Sequence, residues 1–129
     1  MKVLVADNLS TLGVDILKQE SGVDVDVNTG LPKEELIKII SSYDGLIVRS
    51  ATKVTSDVIE AATNLKVIGR AGIGVDNIDV AAAGKKGIIV MNTPEGNIIT
   101  TAEHAMALML SMSRNIPQAR SMLKDQKTW

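Results

Sequence analysis

Apolar residues gather in five short runs, separated by longer stretches in which they recur every three or four positions. That alternation predicts strands and helices in turn. Residues 2–6 form the first run, which stops at Asp7 and Asn8. Ser10 is placed to cap a helix over residues 11–20, in which Leu12, Ile16 and Leu17 share a face, and Gly22 closes it. Residues 23–27 alternate valine with aspartate, the period of a strand with one side in water, which suits a sheet edge. Pro32 stands at the first position of a second helix, ahead of Lys33, Glu34 and Glu35 and then Leu36, Ile37, Ile39 and Ile40. Tyr43-Asp44-Gly45 turns the chain into a third strand, Leu46 to Val48, which ends at Arg49-Ser50-Ala51-Thr52. Thr55 or Ser56 caps a short helix over residues 57–62.

Leu65, Val67 and Ile68 read as a buried fourth strand that passes straight into Arg70, Gly72 and Gly74. Asp79 caps a helix over residues 80–83, which Gly84 or Gly87 ends, and residues 88–91 are the fifth strand. Strands alternating with helices call for an α/β fold, a doubly wound parallel sheet with right-handed crossovers. The expected order is the flavodoxin-like 2-1-3-4-5, which puts the valine–aspartate strand at an edge.

The pattern changes from Thr100. Thr100 and Glu103 have the spacing of a capping box. The helix after them carries Ala105, Met106, Leu108, Met109, Leu110 and Met112 on nearly all sides. A helix apolar all round needs cover all round, so it is expected to open a second domain or to lie against a partner chain, with Met106, Met109 and Met112 as core packing. Pro117 breaks this helix, and residues 118–124 form a further helical stretch. Lys127-Thr128-Trp129 brings no closing strand or polar tail, so the sequence is expected to be part of a longer polypeptide.

Composition narrows the chemistry. With no Phe, one Tyr and one Trp in 129 residues, the core must be aliphatic. Fourteen basic against fifteen acidic residues leave a net charge of −1, so no global field draws the chain to nucleic acid or an anionic membrane. Any positive site must be local. The absence of cysteine excludes disulfides, thiolate catalysis and cysteine metal sites, and fits a cytoplasmic location. The first apolar run, cut off by Asp7, is too short for a signal or membrane segment.

Ligands of open parallel sheets bind at the carboxyl ends of the strands. Those ends carry Asp7 and Asn8, Arg49 and Ser50, Arg70 with Gly72-Ile73-Gly74, and Asn92 and Thr93 with Asn97. The set suits a small acid, a phosphorylated one included, because guanidinium groups bind carboxylate or phosphate through paired N–H bonds. Gly72 and Gly74 are expected to take positive φ, so that successive amides form an anion-binding concavity with Arg70 at its rim. A purely structural turn is the alternative. Asn77 stands where a GxGxxG fingerprint needs its third glycine, so the loop suits a small anion rather than a pyrophosphate. Asp7 is assigned to satisfying loop amides, Thr93-Pro94 to a turn, Lys85-Lys86 to a solvated helix end and His104 to packing. No nucleophile–base pair or metal-ligating cluster is spelled out, so the residues alone describe an acid-binding sheet edge without a catalytic acid or base.

Three strings, Val48-Arg49-Ser50-Ala51-Thr52-Lys53-Val54, residues 69–79 from Gly69-Arg70-Ala71-Gly72-Ile73-Gly74 through Asp79, and Met91-Asn92-Thr93-Pro94-Glu95-Gly96-Asn97, closely resemble the D-isomer-specific 2-hydroxyacid dehydrogenases. Within that family they are most similar to the members that oxidise 3-phosphoglycerate at the first step of serine synthesis. The resemblance implies that residues 1–98 are the first half of a discontinuous substrate domain and residues 99–129 the start of an NAD-binding, Rossmann-type domain. It implies that the N–H groups of Ile73 and Gly74 hold the substrate carboxylate, beside Gly72, and that Arg49, Ser50 and Arg70 face the phosphate. Asn97 would lie near the carboxylate and the nicotinamide, with Ile73 also touching the cofactor. The family's GxGxxG and its catalytic Arg, Glu and His match nothing here, so these residues alone are expected to be unable to transfer hydride. The whole enzyme would take a small phosphorylated 2-hydroxy acid, use NAD and form a homodimer or homotetramer, with no nucleic-acid or membrane partner. Another small 2-hydroxy acid is the nearest alternative substrate. A receiver-like signalling module is a second class of reading, but it needs an acceptor aspartate after the third strand and a lysine after the fifth, where this chain has Arg49-Ser50 and Asn92. A piece that works only through its exposed apolar helix is a third.

Overall fold

A computed structural model describes residues 1–126, so the Lys127-Thr128-Trp129 reading lies outside the described residues. Strands β1 (Lys2–Val5), β2 (Asp24–Val27), β3 (Gly45–Val48), β4 (Val67–Arg70) and β5 (Ile89–Asn92) form one all-parallel sheet in the order β2-β1-β3-β4-β5, as expected. Helices α1 (Thr11–Gln19), α2 (Lys33–Ile39), α3 (Ser56–Ala61) and α4 (Val80–Lys85) connect them, with one 3₁₀ turn, Ile40–Ser42, after α2.

Local signals account for most of the boundaries. The Ser10 hydroxyl accepts from Gly13 N and the Asp79 carboxylate from Ala82 N, each occupying a donor that the helix itself cannot satisfy. Pro32 is the N-cap of α2, one position earlier than expected. Thr55 is the N-cap of α3, but its hydroxyl meets the Asp57 carboxylate instead of the backbone. α4 runs through Gly84, and Gly87, at φ 75°, makes the turn. Lys86 is not merely a solvated helix end. Its ammonium donates to the carbonyls of Ile59 and Glu60, the open C-terminal end of α3.

The register aligns Leu4, Leu46, Ile68 and Val90 in one row and Val5, Ile47, Gly69 and Met91 in the next, on opposite faces of the sheet. Leu4, Leu46 and Ile68 join Ala6, Leu36, Ile40, Val48, Val58, Ile59 and Ile88 in the main aliphatic core. Burying each such side chain contributes roughly 1.5–3 kcal/mol. Right-handed crossovers put α2, α3 and α4 over this face and α1, whose connection runs the other way, over the opposite one. On α1's face the cover thins across the sheet. Val3 is 3 % exposed and Ile89, in the same row, 63 %; Val5 is 0 % exposed and Met91 58 %. The apolar face expected on α1 is itself only partly used, with Val14 and Leu17 half-buried and Leu12 and Ile16 exposed, because the helix packs at the β2 edge alone. β2 takes the edge, yet its aspartate side is not simply wet, since Asp26 accepts from the Tyr43 hydroxyl and pairs with Lys2.

A second compact unit begins at Asn97. It holds α5 (Ile98–Ser113), α6 (Ile116–Ser121) and a π-helical turn, Met122–Gln126. The capping box does not form. α5 starts two residues before Thr100, with Asn97 as its N-cap, and the Thr100 hydroxyl donates back to the Asn97 carbonyl. Nor does Pro117 end α5. The break is Asn115 in the left-handed region, φ 48°, and Pro117 sits in the first turn of α6, where its missing N–H costs nothing. Met106, Met109 and Met112 are exposed rather than core, because α6 offers α5 a single seam and the helix is apolar all round. Among the described residues no helix is long and apolar enough to cross a membrane.

The uneven cover predicts an uneven response to substitution. Ile68→Ala is expected to cost roughly 2–5 kcal/mol in urea unfolding of this chain, while Met91→Ser stays within about 0.5 kcal/mol. Equal losses at the two positions would mean that the outer face of β5 is packed after all.

Candidate anion site at the carboxyl edge of the sheet

The edge is built on a buried carboxylate. Asp7 follows β1 and is 5 % exposed. It accepts the backbone N–H of Arg49 at 2.7 Å, that of Thr52 at 3.1 Å, and the Thr52 hydroxyl at 2.6 Å. Burial pushes its pKa up, but the hydrogen bonds from Thr52 and Arg49 outweigh that and hold the carboxyl below its usual range. As the sequence suggested, Asp7 satisfies loop amides. It pins residues 49–52 across the end of β1. Arg49 and Ser50 are thereby held on the exposed side of the turn, and the Arg49 guanidinium donates to the Asn8 carbonyl at 3.2 Å.

The loop after β4 is tied down through its carbonyls. Ala71 N donates to Val48 O, and Gly72 N to Arg70 O. Gly72 O accepts from Thr93 N at 3.0 Å, and Ile73 O from the Asn92 side chain at 2.6 Å, so the last residue of β5 and the one after it fasten the loop. The N–H groups of Ile73 and Gly74 take no acceptor among the described residues, and Ile73 is 40 % exposed. These amides are the free donors the sequence pointed to.

The reason for the glycines is different from the one expected. The positive-φ glycines are Gly22, Gly30 and Gly87, not Gly72 or Gly74. What Gly72 supplies is room. A Cβ there would lie 2.2 Å from Nη1 of Arg70 and 3.0 Å from its Cζ, and one at Gly74 would lie 2.9 Å from the Asp76 carboxylate. Arg70 therefore does not stand at the rim. Its side chain is 12 % exposed, laid over Gly72, with Nη2 3.8 Å from the exposed Asp76 carboxylate.

Asn77, read from the sequence only as a missing glycine, joins the two loops. Its Nδ2 donates to Arg49 O and Thr52 O, each at 2.7 Å, and its Oδ1 accepts from Nε of Arg70 at 3.2 Å. Its backbone carbonyl accepts from Val54 N, beside the parallel bridge between Val54 and Ile78. The available signal was a carboxamide next to Ile78, an apolar residue of the loop that the fold buries.

Arg49, Ser50, Arg70, Gly72, Ile73 and Gly74 thus belong to two loops fastened to one carboxamide. Asn97 lies in the second unit, at the start of α5. Beside the loops, a cleft of about 700 Å³ is lined by Asn8, Thr29, Leu31, Lys33, Lys53 and Thr55, among others. Among the described residues no three His, Asp or Glu side chains gather to hold a metal, and His104 is exposed on α5.

An open parallel sheet with cationic side chains and unpaired amides at its carboxyl edge defines an α/β domain suited to small anions. The chain belongs to the D-isomer-specific 2-hydroxyacid dehydrogenases, whose catalytic-domain model matches residues 3–124. It is 54 % identical over 126 residues to a D-3-phosphoglycerate dehydrogenase of Synechocystis sp., covering 98 % of this chain but 22 % of that protein. Among solved structures it resembles a protein from Thermus thermophilus, with TM-score 0.87 and 34 % identity over 100 % of this chain and 42 % of that one. It also resembles the NAD⁺-bound 3-phosphoglycerate dehydrogenase of Entamoeba histolytica, with TM-score 0.75 and 34 % identity over 86 % of this chain and 38 % of that one. This family membership sets the receiver-like alternative aside.

Two measurements probe the edge. Because folding lowers the pKa of Asp7, its contribution is whole above the ordinary carboxylate value of about 4 and is lost as pH falls through the lower folded value. Asp7→Ala is expected to cost roughly 2–4 kcal/mol near neutrality, and its gap to the native chain to close in acid; a gap independent of pH would show that the charge is not what counts. Gly72→Ala should leave stability within about 1 kcal/mol but expel the Arg70 guanidinium, moving its Nε–H proton resonance as the bond to Asn77 is lost.

Proposed function

We propose that the whole protein oxidises the 2-hydroxyl of 3-phosphoglycerate, and that the described chain supplies the part of the site that holds the two ends of the substrate. The observation that carries this is the pair of unpaired amides, Ile73 and Gly74, beside loops that bring Arg49 and Arg70 to one carboxamide. The amides take the carboxylate. Arg49, Ser50 and Arg70 take the phosphate, whose charge matches two guanidinium groups better than a plain hydroxy acid would. Holding both ends fixes the 2-carbon between them, which is the positioning that a hydride transfer needs.

NAD supplies the hydride acceptor when bound. The described residues do not fit its pyrophosphate: the glycine turn at 72–74 runs on through a loop to Asp79 and meets no long helix at its N-terminus. Ile73 and Asn97 are assigned only to the nicotinamide end. The described residues also hold no acid–base pair for the 2-hydroxyl proton, so residues 1–129 should bind without turning over. On this reading residues 1–98 are the first half of the substrate domain and residues 99–129 open the nucleotide domain. The bare sheet face at Ile89 and Met91 supports it, since a discontinuous domain is completed by chain that returns later. The enzyme would be cytoplasmic and a homodimer or homotetramer.

The full gene product should reduce NAD with 3-phosphoglycerate while residues 1–129 do not. Arg49→Ala and Arg70→Ala should each raise KM for 3-phosphoglycerate about 10- to 100-fold, the worth of one charged hydrogen-bonding partner. Unchanged KM in both variants would remove the phosphate assignment.

A further inference from the structure

We infer that Asn77 is a positioning residue for the phosphate end of the substrate, acting through Arg70 and through the loop that carries Arg49. The inference rests on the phosphate reading above and adds the device that makes two separate cations act on one anion. A guanidinium presents its side edge, which includes Nε, and its end, formed by the two Nη groups. The Asn77 carbonyl oxygen occupies Nε, at 3.2 Å. The end of the fork is left for a ligand, opposed among the described residues by the exposed Asp76 carboxylate at 3.8 Å from Nη2. The same carboxamide spends both N–H bonds on Arg49 O and Thr52 O, at 2.7 Å each, so the loop bearing Arg49 is fastened to the residue that holds Arg70.

The three bonds demand a carboxamide at this length. An aspartate would set one of its oxygens against two carbonyl oxygens, a serine could not span both loops, and a glutamine would carry the amide one methylene too far. Sterics close the arrangement from the other side, because the open volume over Gly72 is where the fork lies. The orientation of Arg70 is therefore set by one residue's chemistry and another's lack of a side chain. Neither Asn77 nor Gly72 needs to touch the phosphate.

The test uses the full-length enzyme and a double-mutant cycle. Asn77→Ala should raise KM for 3-phosphoglycerate about tenfold, with kcat and KM for NAD moving less than about twofold. With glycerate, which keeps the carboxylate and the 2-hydroxyl but lacks the phosphate, kcat/KM should stay within about twofold. In an Arg70→Ala background the same substitution should add less than about threefold, that remainder coming from the Arg49 loop. Losses of equal size on both substrates, or effects that multiply in the double variant, would make Asn77 merely structural and overturn the inference. Should Asn77→Ala fail to fold, Asn77→Ser is read by the same comparisons. If Arg49→Ala and Arg70→Ala both leave KM unchanged, the phosphate reading falls and takes this inference with it; if Arg70→Ala alone is silent, or is costly while both Asn77 variants are silent, only the inference falls.

Discussion

The edge of this sheet depends on keeping a carboxylate ionised where water scarcely reaches it. Asp7 remains charged because the turn after β3 delivers two backbone amides and a hydroxyl to it. The benefit runs in both directions. The turn has no regular secondary structure to satisfy its amides, and without Asp7 those of Arg49 and Thr52 would lack this acceptor. From there the bonds continue from element to element: Thr52 and Arg49 to Asn77, Asn77 to Arg70, and the loop after Arg70 to Asn92 and Thr93. Four strand ends are joined without a regular ladder, mostly by short polar side chains reaching backbone groups.

The two faces of the sheet show what the fold leaves unfinished. α2, α3 and α4 close one face with aliphatic residues of nearly uniform burial, which is why a chain without phenylalanine still forms a core. The other face has α1 against β2 and nothing comparable over β5. A doubly wound sheet needs two layers. Ile89 and Met91 are exposed where a second layer would lie, and the discontinuous domain proposed above would supply it; the chain spans 22 % of the length of a relative it matches at 54 % identity.

The fold was legible because parallel strands must be buried on both sides, and their continuous apolar runs stand out against helices with three- and four-residue spacing. Ser10 and Asp79 were readable for the same kind of reason: a cap acts over three residues, so the local sequence contains the whole interaction. The capping box at Thr100 failed on that very locality, since any Thr followed by Glu three residues on fits the pattern, and Asn97 could begin the helix earlier. The methionines of α5 were misjudged because hydrophobicity says that a surface wants cover and not whether cover is present. Asn77 escaped notice because its partners are 25 and 28 residues away and are mostly backbone carbonyls, which carry no side-chain identity to recognise.

Gly72 shows how a correct residue can be read for the wrong reason, and the distinction bears on how the site works. A glycine required for positive φ would mark a strained loop, one that a ligand would have to hold open. A glycine required for volume marks an arginine already in place. Arg70 has its Nε bonded and most of its surface covered before any anion arrives, so much of the roughly 2 kcal/mol of rotamer entropy that such a side chain carries is lost on folding rather than on binding. The carboxylate paired with it, Asp76, is exposed and at 3.8 Å, a geometry worth little in water, so the proposed phosphate would displace almost nothing. The free amides of Ile73 and Gly74 are likewise set by carbonyl bonds to Asn92 and Thr93 that no ligand has to form. The donors of this edge are in place on folding, and that is the condition under which a few hydrogen bonds would suffice to orient the proposed small acid.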